Sequence, residues 1–303
     1  MLKVWRVLIL AFAVLVPQTQ ALAWHDTGHM VIGQITYNRL TPAARARVDK
    51  LLIAPPDRRG FVFFCDKTYD PITIAVWMDD IRADSLHADF APWHYINYKP
   101  IFDGISARNI EPAKENVLAR IEWSIETLKK GKEQDTFAAN KQNAEVLGYL
   151  YHLAGDVHQP LHAATRYSQK NPDGDSGGNG FRVTMPEEMR INNLHAFWDA
   201  AGGLFNFRNV ERPLDANGKA QIARLAADIT AAHPASANSQ WKELRPAQWV
   251  EESNQLSRQI VYVGITDGGV PSASYTNKAK DLSRKRIALA GYRLAEVLNT
   301  IYR

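Results

Sequence analysis

Two histidine–aspartate pairs set four residues apart, His152 with Asp156 and His195 with Asp199, constrain this chain more than any other feature. On a helix, positions i and i+4 face the same way, so each pair can reach a common point. Gly148 and Gly155 fall on the stripe of the first pair and leave room beside it for an ion. That helix must stop at Gln159-Pro160, because proline cannot continue the hydrogen-bond ladder, and His162 follows at once. Imidazole and carboxylate both suit zinc. One such pair alone is more often a surface ion pair. Two pairs with His162 between them point to a metal centre, the alternative being buried histidines that aspartates merely satisfy.

Three upstream residues extend the pattern. Asp79 shares a helical stripe with Ile72, Ala75 and Val76, which turns it inward, and a buried carboxylate needs a partner. Arg82, three residues on, is the plain structural candidate. His94, in Trp93-His94-Tyr95, reads by itself as a packed loop histidine. His29 lies on one helical face with Ile32, Gly33 and Thr36 and by itself reads as a core histidine.

The beginning of the chain changes that reading. Lys3 and Arg6 precede an apolar run at residues 7–16, and Ala21-Leu22-Ala23 is a small-x-small signal. Residues 1–23 are therefore expected to be a cleaved secretory signal peptide. The run is too short for a spanning helix of about 20 residues, so no membrane anchor should remain after cleavage. Cleavage would expose Trp24, five residues before His29. A terminal amine can ligate zinc through nitrogen while its own carbonyl closes a five-membered chelate.

An exported chain with one cysteine, Cys65, cannot form an internal disulfide. It also lacks an Asn-x-Ser/Thr sequon, and both absences fit a bacterial periplasmic or secreted protein. Bound metal would then supply stability that staples do not. The formal charge is +4, half of it from Lys3 and Arg6, which is too weak to predict a polyanion partner unaided.

The remaining pattern is helical. Helices are expected over 27–40, 42–53, 72–83, 112–130, 140–158, 188–201, 217–232, 246–263 and 277–301, with Pro42 and Pro112 at starts. Residues 162–187 carry loop signals, Asn171-Pro172-Asp173-Gly174 and Ser176-Gly177-Gly178-Asn179, then a strand-like Phe181-Arg182-Val183-Thr184. The expectation is one all-α domain over 24–303, with long functional loops and at most a short β-hairpin.

Taken together these residues resemble the trinuclear-zinc single-strand nucleases of the S-one/P-one type, their plant endonuclease relatives and bacterial members. The match runs through Trp24…His29, Trp77-x-Asp79-x-x-Arg82, Trp93-His94-Tyr95, His152-x-x-x-Asp156-x-x-x-Pro160-Leu161-His162, Gly177-Gly178-Asn179 and Asn193-Leu194-His195-x-x-x-Asp199. The segment Ala290-Gly291-Tyr292-Arg293-Leu294-Ala295 also looks like the family's end. The resemblance covers the mature chain, although residues 205–270 contribute little.

The resemblance implies three zinc ions. Asp79, His94, His152 and Asp156 would hold one; His162, His195 and Asp199 a second; and the amine and carbonyl of Trp24, with His29 and the bridging Asp156, a third. It implies hydrolysis of single-stranded RNA and DNA to 5′-phosphates and release of phosphate from 3′-nucleotides, with no obligate protein partner. Asp79 and Asp156 would stand at the reacting centre. Arg82 would offset charge building on the phosphate, Tyr95 would stack on a base, and Asn97, Asn179, Gly178 and Ser176 would line its edge. An acidic residue is common in the family where Asn97 stands. The loop at 163–176 is longer than the family's, and the expectation is that it alters strand binding or partly covers the cleft.

Two other readings share these residues. Zinc phospholipases C are similar in fold and ligand set, but the short interval from Trp24 to His29, Asp199 as last ligand and the Gly177-Gly178-Asn179 loop favour the nucleases. A non-enzymatic zinc-binding protein would close every coordination position.

Overall fold

The computed structural model describes residues 24–52, 70–82, 85–206, 209–237 and 239–303. The expected signal peptide and Cys65 lie outside the described residues. The described chain is built from α1 (Asp26–Asn38), α2 (Pro42–Leu52), α3 (Trp77–Ile81), α4 (Val117–Gly131), α5 (Phe137–Asp156), α6 (Leu194–Asp199), α7 (Ala216–Ala232), α8 (Pro246–Leu256) and α9 (Ala273–Ile301). The all-α expectation holds.

Capping side chains set boundaries that the prolines do not. α4 starts at Val117, well after Pro112, because the Asn116 side chain accepts from Ala119 N at 3.0 Å. α6 starts at Leu194 rather than 188, because Asn193 accepts from Ala196 N at 2.8 Å and Arg190 takes a left-handed φ of 53°. The expected helix over 72–83 is a 3-10 turn, Thr73–Val76, running into α3. The expected helix over 246–263 passes from α8 into one π-turn, Ser257–Val261.

The sheet corrects a second expectation. β1 (Ile101–Asp103) pairs parallel with β2 (Arg166–Ser168), so the strands belong to a long crossover and not to a hairpin. The strand expected at 181–184 forms a single bridge, Arg182 with Asn193. Its backbone donors are taken elsewhere: Arg182 N by Asp267 Oδ1 at 2.9 Å and Thr184 N by Gly269 O at 2.9 Å.

α5 runs through the middle of the fold, its second half wholly buried, and packs against α4 and α9. α1 is buried from Thr27 to Thr36 and packs on α9 and α7. Just beyond α5 lies a closed polar cluster. Glu252 accepts from Arg286 Nη1 at 3.0 Å and from Arg293 Nη1 and Nη2 at 2.7 Å. His158 donates Nδ1–H to Ala154 O at 2.7 Å and accepts from Arg293 at Nε2, 3.0 Å away. Burial, with Arg286 and Arg293 nearby, holds its pKa well below the usual histidine value, which keeps it neutral. Among the described residues no helix is long and apolar enough to cross a membrane.

Candidate metal centre

The C-terminal half of α5 carries His152 and Asp156 on one face, as the spacing requires. Asp156 is fully buried and turns its two oxygens to different histidines. Oδ2 lies 2.9 Å from His94 Nδ1 and 3.3 Å from His152 Nε2, while Oδ1 lies 3.3 Å from His29 Nε2. Asp79, on α3, places Oδ1 3.7 Å from His152 Nε2 and 3.2 Å from Arg82 Nη1. Arg82 is thus both the partner of Asp79 and a neighbour of the cluster. The His29 ring stacks on His152 with centroids 4.2 Å apart.

The glycines next to these residues divide the work differently from expectation. A Cβ at Gly155 would fall 2.8 Å from His29 Nδ1, so Gly155 admits His29. A Cβ at Gly148 would fall 2.8 Å from the Trp77 ring, so Gly148 makes room for an aromatic side chain and not for an ion.

A second group closes beside the first. His162, in the turn Pro160–Ala163, faces His195 on α6 with their Nε2 atoms 3.2 Å apart. Asp199 Oδ2 is 3.4 Å from His195 Nε2, and Asp199 Oδ1 is 3.9 Å from His162 Nε2. Gln159 donates from Nε2 to Asp199 Oδ1 at 2.7 Å and accepts from Leu161 N at 2.6 Å.

The donor set fits a cation. His152, His162 and His195 each donate Nδ1–H to a backbone carbonyl, of Ala75, His94 and Gly177 respectively, at 2.6–2.7 Å. That fixes the tautomer and points each Nε2 into the cluster, the arrangement typical of metal-ligating histidines. Neutral His162 and His195 then oppose two lone pairs, which is unfavourable unless something positive sits between them. Both nitrogens of His29, Nε2 of His94, Oδ2 of Asp79 and Oδ1 of Asp156 are buried without a hydrogen bond. Three groups of ligand atoms lie mutually within 4.8 Å: His29, Asp79 and His152; His94, His152 and Asp156; and His162, His195 and Asp199.

Protonation reports the same demand for positive charge. Burial alone would lower the His152 pKa, but Asp156 and Asp79 outweigh it and push it up to about 9. Burial likewise works to raise Asp156 and Asp79, and His152 overrides it, so both carboxyls sit below their usual range. Asp199 has no such neighbour strong enough: burial drives its pKa well above the usual range. Burial lowers His94 to about 4 and also lowers His29, His162 and His195, leaving these four as neutral donors of lone pairs.

Trp24 is fully buried; its indole donates to Gly155 O at 3.0 Å, and His25 N donates to Asp199 O at 2.9 Å. The start of the described chain is therefore tucked between the ends of α5 and α6. Arg212 holds it there, reaching Asp26 at 2.9 Å and Asp80 at 2.6 Å. Neither Arg212 nor Gln159 stands out in the sequence. The only signal for Gln159 is its place before a helix-stopping proline, where a side chain must cap the next turn.

Above the cluster opens a cavity of about 250 Å³ lined by Arg82, His94, Tyr95, Asn97, His162, Ser176, Gly177, Asn179 and His195. Tyr95 is 44 % exposed, which removes the reading of it as core filler. Asn97 accepts from Thr165 Oγ1 at 2.5 Å and Asn179 donates to Ser176 O at 2.8 Å, so each amide keeps one end for the cavity. Gly177 and Gly178 take φ of 65° and 86°, which side chains rarely adopt. Gly177 lines the cavity; Gly178 stands behind it, accepting from His195 N at 3.3 Å. Within the long loop, Ala164 and Ser176 border this cavity, while Arg166 and residues 168–171 border a separate one of about 370 Å³ with Asp103 and Asp267.

The profile of the S1/P1 Nuclease family spans residues 24–303 of the chain. Among curated proteins, Endonuclease 4 of Arabidopsis thaliana is 26% identical over 99% of this chain and 96% of its own length. Endonuclease 2 of the same plant is 27% identical over 92% of this chain and 90% of its own length. Nuclease S1 of Aspergillus oryzae is 24% identical, covering 98% of both chains. A family profile that spans the whole site, over a helical fold that gathers two histidine–aspartate groups beneath one cavity, identifies the chain as a member of the S1/P1 nuclease family.

Proposed function

We propose that the chain is an exported, zinc-dependent hydrolase that cuts single-stranded RNA and DNA and removes phosphate from 3′-nucleotides, with residues 1–23 removed and Trp24 as its first residue. The observation that carries the metal half of this reading is the set of neutral imidazole nitrogens facing one another beside unpartnered carboxylate oxygens. Three zinc ions would be held by Asp79, His94, His152 and Asp156; by His162, His195 and Asp199; and by the Trp24 amine and carbonyl, His29 and Asp156. The divergence of the two Asp156 oxygens supports its sharing between ions. Nitrogen and oxygen donors without sulfur suit zinc. Bound zinc supplies Lewis acidity and lowers the pKa of water toward neutrality.

The chain's own residues do the rest. Arg82, paired with Asp79, lines the cavity, and its charge there offsets charge building on the oxygens of a bound phosphate. Tyr95 offers an exposed ring for an unpaired base, and stacking of that kind is indifferent to sequence but requires a single strand. Asn97, Asn179 and Ser176 border the base edge, with Gly178 supporting their loop. Water adds to phosphorus as the bond to the 3′ oxygen breaks and a proton passes to that oxygen, which leaves a 5′-phosphate and a 3′-hydroxyl.

The decisive assay compares the exported protein on single-stranded RNA and on phosphatidylcholine vesicles, with zinc per chain measured in the same preparation. RNA cleavage with zinc present is expected. Lipid cleavage alone would overturn the nuclease assignment, and a fully active protein with less than one zinc per chain would overturn the metal centre.

A further inference from the structure

We infer that Gln159 is a positioning residue that ties up one oxygen of Asp199, so that Asp199 can give a metal only its other oxygen and a coordination position stays open for substrate. This rests on the reading of His162, His195 and Asp199 as a zinc site. The argument begins with Gln159 itself, which is fully buried and uses both ends of its amide. Its Oε1 accepts from Leu161 N at 2.6 Å and its Nε2 donates to Asp199 Oδ1 at 2.7 Å. The amide cannot turn over. Rotation would set Oε1 against a carboxylate oxygen and the NH2 group against the Leu161 N–H, losing two hydrogen bonds in a dry interior.

The backbone of Gln159 is fixed as well. Its N–H donates to Asp156 O at 2.9 Å and its carbonyl accepts from His162 N at 3.1 Å. One residue thus links the ends of both groups, Asp156 on one side and His162 on the other, and reaches across to Asp199 on α6.

The two oxygens of Asp199 are consequently unequal. Oδ1 receives the Gln159 hydrogen bond and lies 3.9 Å from His162 Nε2. Oδ2 faces His195 Nε2 at 3.4 Å and receives no hydrogen bond from the described residues. An oxygen engaged by a short N–H donor is a poorer ligand, so Oδ2 is the one offered. Two imidazoles and one carboxylate oxygen make three protein donors, the number that leaves a zinc ion open to substrate. Were both Asp199 oxygens to bind, that opening would be filled by the protein. His162 and His195 also line the cavity that carries Arg82 and Tyr95, so the opening faces where a substrate would lie.

The test uses Gln159→Leu, which removes both hydrogen bonds, and Gln159→Glu, which keeps an acceptor for Leu161 N while removing the donor to Asp199. Each full-length exported protein is stripped, reloaded with cobalt for its visible spectrum, and separately reloaded with zinc for kinetics on a short single-stranded oligonucleotide. The parent protein serves as control for the metal centre itself: if it binds no metal, the zinc reading fails before this one is reached. In both variants metal content should stay at the parent's level. The visible cobalt bands should weaken, as they do when coordination number rises. kcat should fall by about 10–100-fold, the usual effect of losing a partner of a metal ligand, with KM little changed. A parent-like cobalt spectrum with kcat within about twofold of the parent, in either variant that retains metal, overturns the inference. Loss of metal from both variants would also overturn it, since it would make Gln159 necessary for binding and not for the mode of binding.

Discussion

Two buried polar clusters sit at the C-terminal end of α5, and they answer burial in opposite ways. Around His158, each charged side chain has a hydrogen-bonded partner: Glu252 takes both Arg286 and Arg293, and both nitrogens of the histidine are used. Around His152, six residues earlier along the chain, two aspartates and three histidines converge with five nitrogen and oxygen atoms left without hydrogen bonds. A protein interior tolerates neither unpaired charge nor unsatisfied polar atoms at low cost. The first cluster is tied together by its own hydrogen bonds as a structural staple, with Arg293 Nε its one atom left without a partner among the described residues. The second is complete only with a cation, and in its absence a proton on His152 takes that place, which is why its pKa rises to about 9 while His158 falls.

Chelation should therefore divide the two clusters. Removing zinc at a thousandfold excess over Kd forfeits about 4 kcal/mol per linked ion, which for a chain of this size lowers the melting temperature by on the order of 10 °C, together with all activity. Breaking the closed cluster with Glu252→Gln should cost about 3–5 kcal/mol because two arginines lose their partner, yet leave zinc content unchanged. Equal zinc loss from both treatments would erase the distinction. The chelated protein carries a pH signature too. A histidine whose folded pKa is raised stabilises fully below its unfolded value of ~6.5 and loses that contribution as pH rises through the folded one. With His152 at about 9, the chelated protein should lose stability between pH 6.5 and 9. A chelated protein whose melting temperature is flat across that interval would remove the proton from the role assigned to it.

The start of the chain sharpens the contrast next. Trp24 is buried against Gly155 and its neighbour His25 against Asp199, so the first residues of the expected mature protein end beside the open cluster and not the closed one. An extra methionine before Trp24 should acylate the proposed amine ligand, remove about one zinc in three, and abolish most turnover while the fold persists. Full zinc content and normal turnover in that form would strike Trp24 from the ligand set. Arg212→Ala should weaken the same site more gently by releasing Asp26 from Asp80.

The open cluster was largely legible in the sequence, and the reason is local. A separation of four on a helix fixes relative direction, so His152 with Asp156 and His195 with Asp199 needed only the helices to exist. Even the proline that ends the α5 segment could be read, because proline acts on its own chain. What escaped depended on long-range partners. The role of Gly148 is set by Trp77, the strand expected at 181–184 is claimed by the loop carrying Asp267 and Gly269, and α6 begins where Asn193 caps it. Gln159 escaped because its meaning lies in Asp199, forty positions later. The cavity rim was legible only through family likeness, since loops hold Tyr95, Asn97 and Asn179 and no periodicity governs them.

Arg82 stands where the open cluster meets the cavity, and substituting it separates holding metal from acting on substrate. Arg82→Ala should lower kcat by roughly 10²–10³-fold, as loss of a preorganised charge donor does, with zinc per chain unchanged. If zinc falls along with turnover, the contact with Asp79 at 3.2 Å is what matters, and Arg82 belongs to the architecture of the cluster.

The smallest effect probes the rim alone. Tyr95 shares the cavity with Arg82, His94 and His162 but belongs to none of the compact ligand groups, and its ring is nearly half exposed. Its backbone carbonyl accepts from Val117 N at 3.1 Å, which anchors the residue to the start of α4 whatever its side chain. Tyr95→Ala should therefore preserve the fold, the zinc and the reacting centre while removing one stacking surface. The loss should be about 1–3 kcal/mol in kcat/KM for single-stranded RNA or DNA and close to nothing for a small diester that has no base. Because an aromatic face is what counts, Tyr95→Phe should keep nearly all of the parent's activity. Equal losses on the oligonucleotide and the base-free diester would place Tyr95 among the residues that shape the metal cluster. An oligonucleotide rate unchanged in Tyr95→Ala would mean that the base is held elsewhere along the rim, with Asn97 and Asn179 the next positions to substitute.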